Sequence, residues 1–390
     1  MDFNWTDDER RFRDRVRAFL HRELPSDWAE VARHGPGSAE QTAFSRDFCP
    51  RLAAEGLLVP HWPAEWGGQG RPTWEHFILG EEMWAAGEPR GAQYMNVNWI
   101  GPTLMRYGSA EQQARYIPAM AAGNAIWCQG FSEPEAGSDL ASLRTKAVPD
   151  GGGYVIDGQK IWTSYAGLAE TCFLLARVPG AGDGKAAIAI FLVPMDTPGI
   201  EVRSIPSLIG HGDIHEVFLT GVRVPASARL GAEGEGWSII SYALANERVG
   251  IPRYELSSRT LSRMAARLKD EGRFDDPVIR ARAGSAAAAC EAARMLTYRA
   301  VSMRAKGQPA GPEANIARVA VVEADHAVSE FGMDFLPGAY TAGGGNGGAD
   351  DAAILAHHER AIVAGIAAGA AEIQLDLVAR RHLDLPRGAA

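Results

Sequence analysis

The sequence lacks an apolar leader. Its first residues, Met1-Asp-Phe-Asn-Trp-Thr-Asp-Asp-Glu-Arg10, are polar, and no later run approaches the ~20 apolar residues that cross a bilayer. That predicts a cytoplasmic chain with no membrane partner, in which the sequon Asn4-Trp-Thr6 carries no meaning. Cysteine is scarce. Cys49, Cys128, Cys172 and Cys290 lie far apart without metal or redox spacing, so they read as reduced, mostly buried residues, and no metal site is expected. Basic charge is in deficit: 39 Lys and Arg stand against 48 Asp and Glu, and the net charge of -9 argues against a nucleic-acid partner.

What is present is ordinary in bulk and uneven in pattern. The 390 residues are 46% hydrophobic and 22% charged, a globular composition too long for one small core. Thr6-Asp-Asp-Glu9 is a capping box that opens a helix with apolar residues at Phe12, Val16, Phe19 and Leu20. Further helices are predicted over about 40–55 and 73–86, around Ile100 to Met105, and from a second capping box at Ser109 to Gly123; Pro60–Gly68 reads as a loop. After Ile126 the period changes. Short apolar runs at Tyr154, Cys172, Ala187–Val193 and Glu216, bounded by Gly, Pro and Asp, behave as strands, and no helix intervenes. From Gly236 helical patterns return over 237–305, 312–335 and 351–383. The fold class is therefore α+β: an all-helical N-terminal domain (1–125), a small antiparallel β domain (126–235) and a C-terminal helical bundle (236–390). Ala342-Gly-Gly-Gly-Asn-Gly-Gly348 follows no strand and reads as an inter-helix loop.

One stretch is denser in hydroxyl, glycine and aromatic residues than a core needs: Trp127-Cys-Gln-Gly-Phe-Ser-Glu-Pro-Glu-Ala-Gly-Ser-Asp139, followed by Gly158-Gln-Lys-Ile-Trp-Thr-Ser164. Gly130 and Gly137 would let backbone approach a ligand, and Ser132 and Ser138 add short hydrogen-bonding groups. Pro134 makes Glu133–Gly137 a turn whose amides could face a flat, polar-edged ligand. An ordinary strand and turn would also use these residues.

The order of the segments and the motifs at their junctions resemble the acyl-CoA dehydrogenase superfamily, in its bacterial forms. The blocks are Arg106-Tyr-Gly-Ser-Ala-Glu-Gln112, Phe131-Ser-Glu-Pro-Glu-Ala-Gly-Ser-Asp-Leu140, Gly158–Ser164, Val222-Arg-Val-Pro225, Leu230-Gly-Ala-Glu-Gly-Glu-Gly-Trp237 and Glu247-Arg-Val-Gly250. The resemblance implies FAD on the β domain, with Gln129, Phe131, Ser132, Gly137 and Ser138 along the flavin and its pyrophosphate. It implies Trp162 packed on the isoalloxazine, Thr163 and Ser164 near its polar edge, and Ser138 also beside substrate. An apolar wall with fixed donors is what a hydride-accepting flavin requires. It implies further an acyl-CoA substrate, an electron-transferring flavoprotein as acceptor, and assembly as a homo-oligomer or with a second subunit of the same family.

Two departures stand out. Many family members carry the catalytic Glu just before Gly in a C-terminal Glu-Gly-Thr segment, but here Ala368 and Ala370 replace the Glu and Thr. Glu372, one turn on, matches a residue that is not the base. A minority place the base on an earlier helix before an Arg, which here is Glu247-Arg248. Trp237, Ile240, Leu244, Glu247 and Ile251 recur at helical spacing, which predicts a buried stripe and a partly desolvated Glu247 carboxylate. Arg248 would pair with it or hold substrate, and Pro252 is expected to kink the helix. The second departure concerns the Arg that reaches a neighbouring subunit's FAD in many relatives. Glu271 stands in its place, with Arg273 two residues on. The resemblance thus implies α,β-dehydrogenation of an acyl-CoA by Glu247 and FAD. A non-catalytic subunit of a heteromeric enzyme, or a flavin monooxygenase on the same scaffold, are the alternatives.

Overall fold

A computed structural model describes residues 4–182, 184–208, 214–249, 252–308, 311–341, 348–367 and 369–386, apart from the side chains of Arg33, Arg248, Val249 and Ala349. Six helices come first: α1 (Asp7–Glu23), α2 (Trp28–Arg33), α3 (Ala39–Ala54), α4 (Thr73–Ala85), α5 (Gly101–Tyr107) and α6 (Ala110–Ala121). Both capping boxes form: Thr6 and Glu9 satisfy each other's backbone amides ahead of α1, and Ser109 and Gln112 do so ahead of α6. Eight strands follow: β1 (Trp127–Gly130), β2 (Lys146–Asp150), β3 (Gly153–Ser164), β4 (Thr171–Arg177), β5 (Ile188–Pro194), β6 (Ile200–Ser204), β7 (Ile214–Pro225) and β8 (Arg229–Leu230). They join one sheet in the order β6-β7-β3-β2-β4-β5-β8, with β1 on β4. The pairings are antiparallel except β1 with β4 and the single contact of β2 with β4, so a mostly antiparallel sheet carries a parallel addition at β1. The last helices are α7 (Gly236–Val249), α8 (Tyr254–Asp270), α9 (Pro277–Ala305), α10 (Glu313–Phe335), α11 (Pro337–Thr341), α12 (Ala349–Ala364) and α13 (Ala371–Arg381). Pro252 itself lies outside any helix: α7 is described as far as Val249, and α8 starts at Tyr254, so the expected kink within one helix is not what Pro252 makes. No described helix is long and apolar enough to cross a membrane.

The chain forms two compact units. One comprises 34–71 and 89–247, the other 1–33, 72–88 and 248–390. In the first, the sheet core is built from Cys128, Ala147, Ile156, Leu174, Phe191, Val217 and Val222. In the second, the buried side of α9 is small-residued (Ala283, Ala286, Cys290, Ala293), which lets α10 approach with Ala320, Val321, Ala324 and Val328.

The second unit also buries charge. Glu81, 1% exposed, accepts from Arg13 at 2.7 Å, from the Tyr254 hydroxyl at 2.7 Å and from the Tyr298 hydroxyl at 2.9 Å. Arg13 also pairs with Glu82 at 2.6 Å and lies over the Trp5 ring. Beside this cluster, burial and the Glu81 and Glu82 carboxylates push the Glu255 carboxyl up to about 7, against the pull of Arg13 and Arg294. A folded value above the unfolded one favours the protonated form, so the contribution is complete below the ordinary carboxyl range and is lost as pH rises through about 7. Glu255→Gln is expected to be near neutral at acidic pH and to raise the thermal midpoint on the alkaline side of 7. A pH-independent effect would contradict this.

Candidate functional site

Strand β1 runs beside β4 in register from Trp127↔Thr171 to Gly130↔Leu174. The glycine at 130 serves packing rather than ligand approach, because a Cβ there would meet Cys172 Sγ and Leu174 Cδ1, both at 2.8 Å. Gly137 differs. A Cβ at that position would touch nothing, and Gly137, Ser138 and Asp139 are all exposed. Between them the chain makes the expected turn. Its Glu133 and Ala136 amides bond to each other's carbonyls at 2.9 and 3.1 Å, so those two donors are used within the turn. The Gln129 side chain is also engaged: Trp99 Nε1 donates to its Oε1 at 2.6 Å, which fixes the amide.

Beneath the turn lies an ion pair that the sequence reading did not single out. Lys160 Nζ, fully buried, donates to Glu133 Oε1 at 2.7 Å and to the Phe131 carbonyl at 3.2 Å. Glu133 accepts two further bonds, from the Arg144 amide at 2.5 Å and the Thr145 amide at 2.9 Å. Burial pushes the Lys160 ammonium down, with Glu133 opposing. Burial alone would push the Glu133 carboxyl up, but Lys160 and its hydrogen bonds hold it below the ordinary range. The turn is thereby tied to β3. Lys160 lies four residues from Ile156 on the inward side of that strand, and a charge in this apolar alternation was the available signal.

Two residues on, β3 breaks its alternation. Lys160 pairs with Val217 and Thr163 with His215, three steps on one strand against two on the other, so β3 carries a bulge. Trp162 sits in it with φ +58, a left-handed conformation, and its side chain is 58% exposed. Neither is expected of a strand tryptophan, since the conformation costs a non-glycine residue ~1–2 kcal/mol and an exposed ring gains little from burial. The adjacent Thr163 is 1% exposed, and its Oγ1 has no hydrogen-bond partner among the described residues. Its carbonyl oxygen faces His215 Nδ1 at 3.3 Å, and burial lowers the pKa of that imidazole. Ser132 and Ser164 are half-buried, and the Ile161 amide donates to the Ser132 carbonyl at 3.0 Å, which joins the turn to the bulge. Phe131 is buried and stacks at a tilt on Phe173, 5.9 Å away.

The same unit contains α7 up to Glu247. Its buried stripe is Ile239, Ile240, Ala243 and Asn246, offset from the predicted one. Trp237, Leu244 and Glu247 flank that stripe and are half-buried, which corrects the expectation of a core face; Ile251 and the Arg248 side chain lie outside the described residues. Glu247 is thus neither a surface nor a core residue. Ala368 also lies outside the described residues, while Glu372 is exposed on α13. Of the Gly loop, only Gly348 is described, as the residue preceding α12. Glu271 bonds to Arg267 and Arg273, each at 2.9 Å, and Arg273 also donates to the Phe335 carbonyl. The displaced arginine is therefore tied within its own chain.

Three family descriptions match in succession: acyl-CoA dehydrogenase N-terminal domain over residues 6–124, middle domain over 128–222 and C-terminal domain over 234–383. The chain belongs to the acyl-CoA dehydrogenase family. Among its relatives is acyl-CoA dehydrogenase IpdE1 of Mycobacterium tuberculosis, 34% identical over 388 residues that span 98% of this chain and 99% of that one. The Tcur3481-Tcur3483 steroid ACAD has a similar structure, with a TM-score of 0.92 and 31% identity over the whole of both chains. So does the ChsE4-ChsE5 complex of M. tuberculosis, with a TM-score of 0.87, 27% identity and full coverage of both. This kinship makes the chain an oxidoreductase of the FAD-dependent dehydrogenase type.

If Trp162 is held left-handed for a ligand, relieving the strain should separate stability from binding. Trp162→Gly is expected to stabilise the apoprotein by roughly 1 kcal/mol while weakening flavin retention. Paired thermal midpoints of apo- and holoprotein check this, and a variant that loses both equally would refute it.

Proposed function

We propose that this acyl-CoA dehydrogenase desaturates an acyl-CoA thioester between its α and β carbons, with Glu247 as the base. The observation that carries the reading is the bulge at Trp162: an exposed indole held in a strained conformation beside the buried Thr163 Oγ1, which has no partner among the described residues. This is a flat wall with a hydrogen-bonding edge, and the open side of Gly137 leaves room for a close approach. The residues fit FAD. Trp162 would face the ring, Thr163 and Ser164 its polar edge, and Phe131, Ser132, Gly137 and Ser138 the stretch towards the pyrophosphate. Gln129, whose amide Trp99 orients, would present its remaining donors beside them. When bound, FAD supplies the acceptor for hydride from the β-carbon.

The chain's own part is to orient the thioester and to take the proton. Glu247 accepts the α-proton as the β-carbon–hydrogen bond breaks, and the α,β bond becomes double. Its half-buried place beside Asn246 weakens solvation of the carboxylate without isolating it. Arg248 and Ser138 are assigned to substrate, and an electron-transferring flavoprotein to reoxidation. The test is spectroscopic: the purified yellow protein should be bleached anaerobically by an acyl-CoA, and a panel that leaves the flavin oxidised throughout would defeat the reading.

We infer also that an unlike family subunit completes each site. Glu271 stands where the inter-subunit arginine is expected, Arg273 bonds within its own chain to Glu271 and the Phe335 carbonyl, and two similar structures are named as pairs of different chains. Flavin content should then rise on co-expression with a homologous subunit. Full flavin occupancy in the lone chain would rule this out.

A further inference from the structure

Residues 94–107 form a helical segment whose geometry changes midway, with a π-helical turn over Asn96–Ile100 leading into α5. Such a turn is wide, so residues five apart can meet, and the Tyr94 and Trp99 rings do so edge to face at 5.5 Å. The segment is tied at both ends to the elements that carry the proposed chemistry. Trp99 donates to Gln129 on β1, while Tyr107 meets Tyr242 of α7 at 5.7 Å and Arg106 lies over that same ring at 4.8 Å. It therefore spans from the strand that leads into the Glu133–Gly137 turn to the helix that carries Glu247.

Most of this segment is buried; Tyr94, Pro102, Met105 and Tyr107 are half-buried and Arg106 is exposed, and the buried Asn98 lies four residues from both Tyr94 and Pro102. Asn98 is 7% exposed, and its Nδ2 is buried with no hydrogen-bond partner among the described residues. In Asn96, two residues earlier, the NH2 group donates to the Ala125 carbonyl at 2.5 Å and it is the Oδ1 that lacks a partner among the described residues, so the two amides differ in which group is left over. An amide NH2 left unpaired in the interior is costly, and so persists where a ligand uses it. A hydrocarbon placed against this NH2 would leave the donor unsatisfied, whereas an oxygen would pair with it.

We propose that Asn98 determines specificity by donating to an oxygen carried on the acyl group beyond the thioester. The substrate class is then an oxygen-bearing acyl-CoA, such as a keto-acyl thioester, rather than a plain hydrocarbon chain. This rests on the acyl-CoA reading above. The test uses the holoprotein, with any subunit it requires, and α,β-unsaturated thioesters that bind without turnover. The probes are 2-octenoyl-CoA against its 5-, 6- and 7-oxo forms, and 3-cyclohexylacryloyl-CoA against its ring 4-ketone, titrated calorimetrically. At least one ketone should bind on the order of tenfold to a hundredfold tighter than its parent. Asn98→Leu should bring that pair within about twofold. Asn98→Asp, nearly isosteric but without the NH2 donor, should do the same if the leucine variant does not fold. Equal binding of every pair by the wild type, or a preference kept by the variants, overturns the role of Asn98 alone. Failure of every thioester to bind overturns the acyl-CoA reading, and this proposal with it.

Discussion

Glu247→Gln is expected to keep its flavin and to lose its chemistry, with substrate-driven bleaching slowed by about 10²–10⁴-fold. Glutamine matches glutamate in shape, so α7 keeps its buried stripe of Ile239, Ile240, Ala243 and Asn246, and only the proton acceptor is removed. Stopped-flow reduction under anaerobic conditions measures the loss, and the flavin spectrum before mixing reports whether the cofactor stayed. Undiminished reduction would eliminate Glu247 and return the search to another carboxylate or to the second subunit. Glu247→Asp is the informative companion. It retains the acid but draws it back by one methylene, so a partial rate would indicate that reach matters.

The second large effect concerns stability. Lys160→Met should destabilise the unit that holds the sheet by about 3–5 kcal/mol, because it strands the Glu133 carboxylate at 7% exposure without its cation. The remaining bonds from the Arg144 and Thr145 amides cannot neutralise that charge. Combining it with Glu133→Gln should restore most of the loss, since an uncharged pair needs no counterion. Chemical denaturation of the four proteins completes the cycle, and additive single effects would show that the two side chains do not act as a pair. The turn over Lys160 carries Ser132 on one side and Ser138 on the other, so the single variant should also release flavin at lower temperature.

How much of this was legible depends on distance along the chain. The capping boxes at Thr6 and Ser109 could be read directly, because both partners lie within three residues and the geometry is local. The longer strands could be read from apolar runs, but β1, β2, β6 and β8 have at most five residues each, and their pairing is set by the rest of the sheet. The Lys160–Glu133 pair joins residues 27 positions apart and has no local signature. The bulge at Trp162 arises from a register shift against β7, which one strand's sequence does not contain. On α7 the periodicity was real, yet Trp237 and Glu247 lie beside the core rather than in it. A hydrophobic period marks residues that avoid water and does not say whether protein or ligand covers them. Gly130 and Gly137 make the same point: both are glycines in one motif, but only the structure separates the one pressed on Cys172 from the one facing open space.

The exposed indole at the bulge has a further consequence for the life of the chain before it is loaded. A rigid aromatic plate presented to solvent is an apolar surface that water covers at a cost. If flavin seats on Trp162 as proposed, it is more than a reagent for this protein, because it also takes that ring out of water. The empty chain should then bind an apolar-surface dye at this ring, and added flavin should displace the dye.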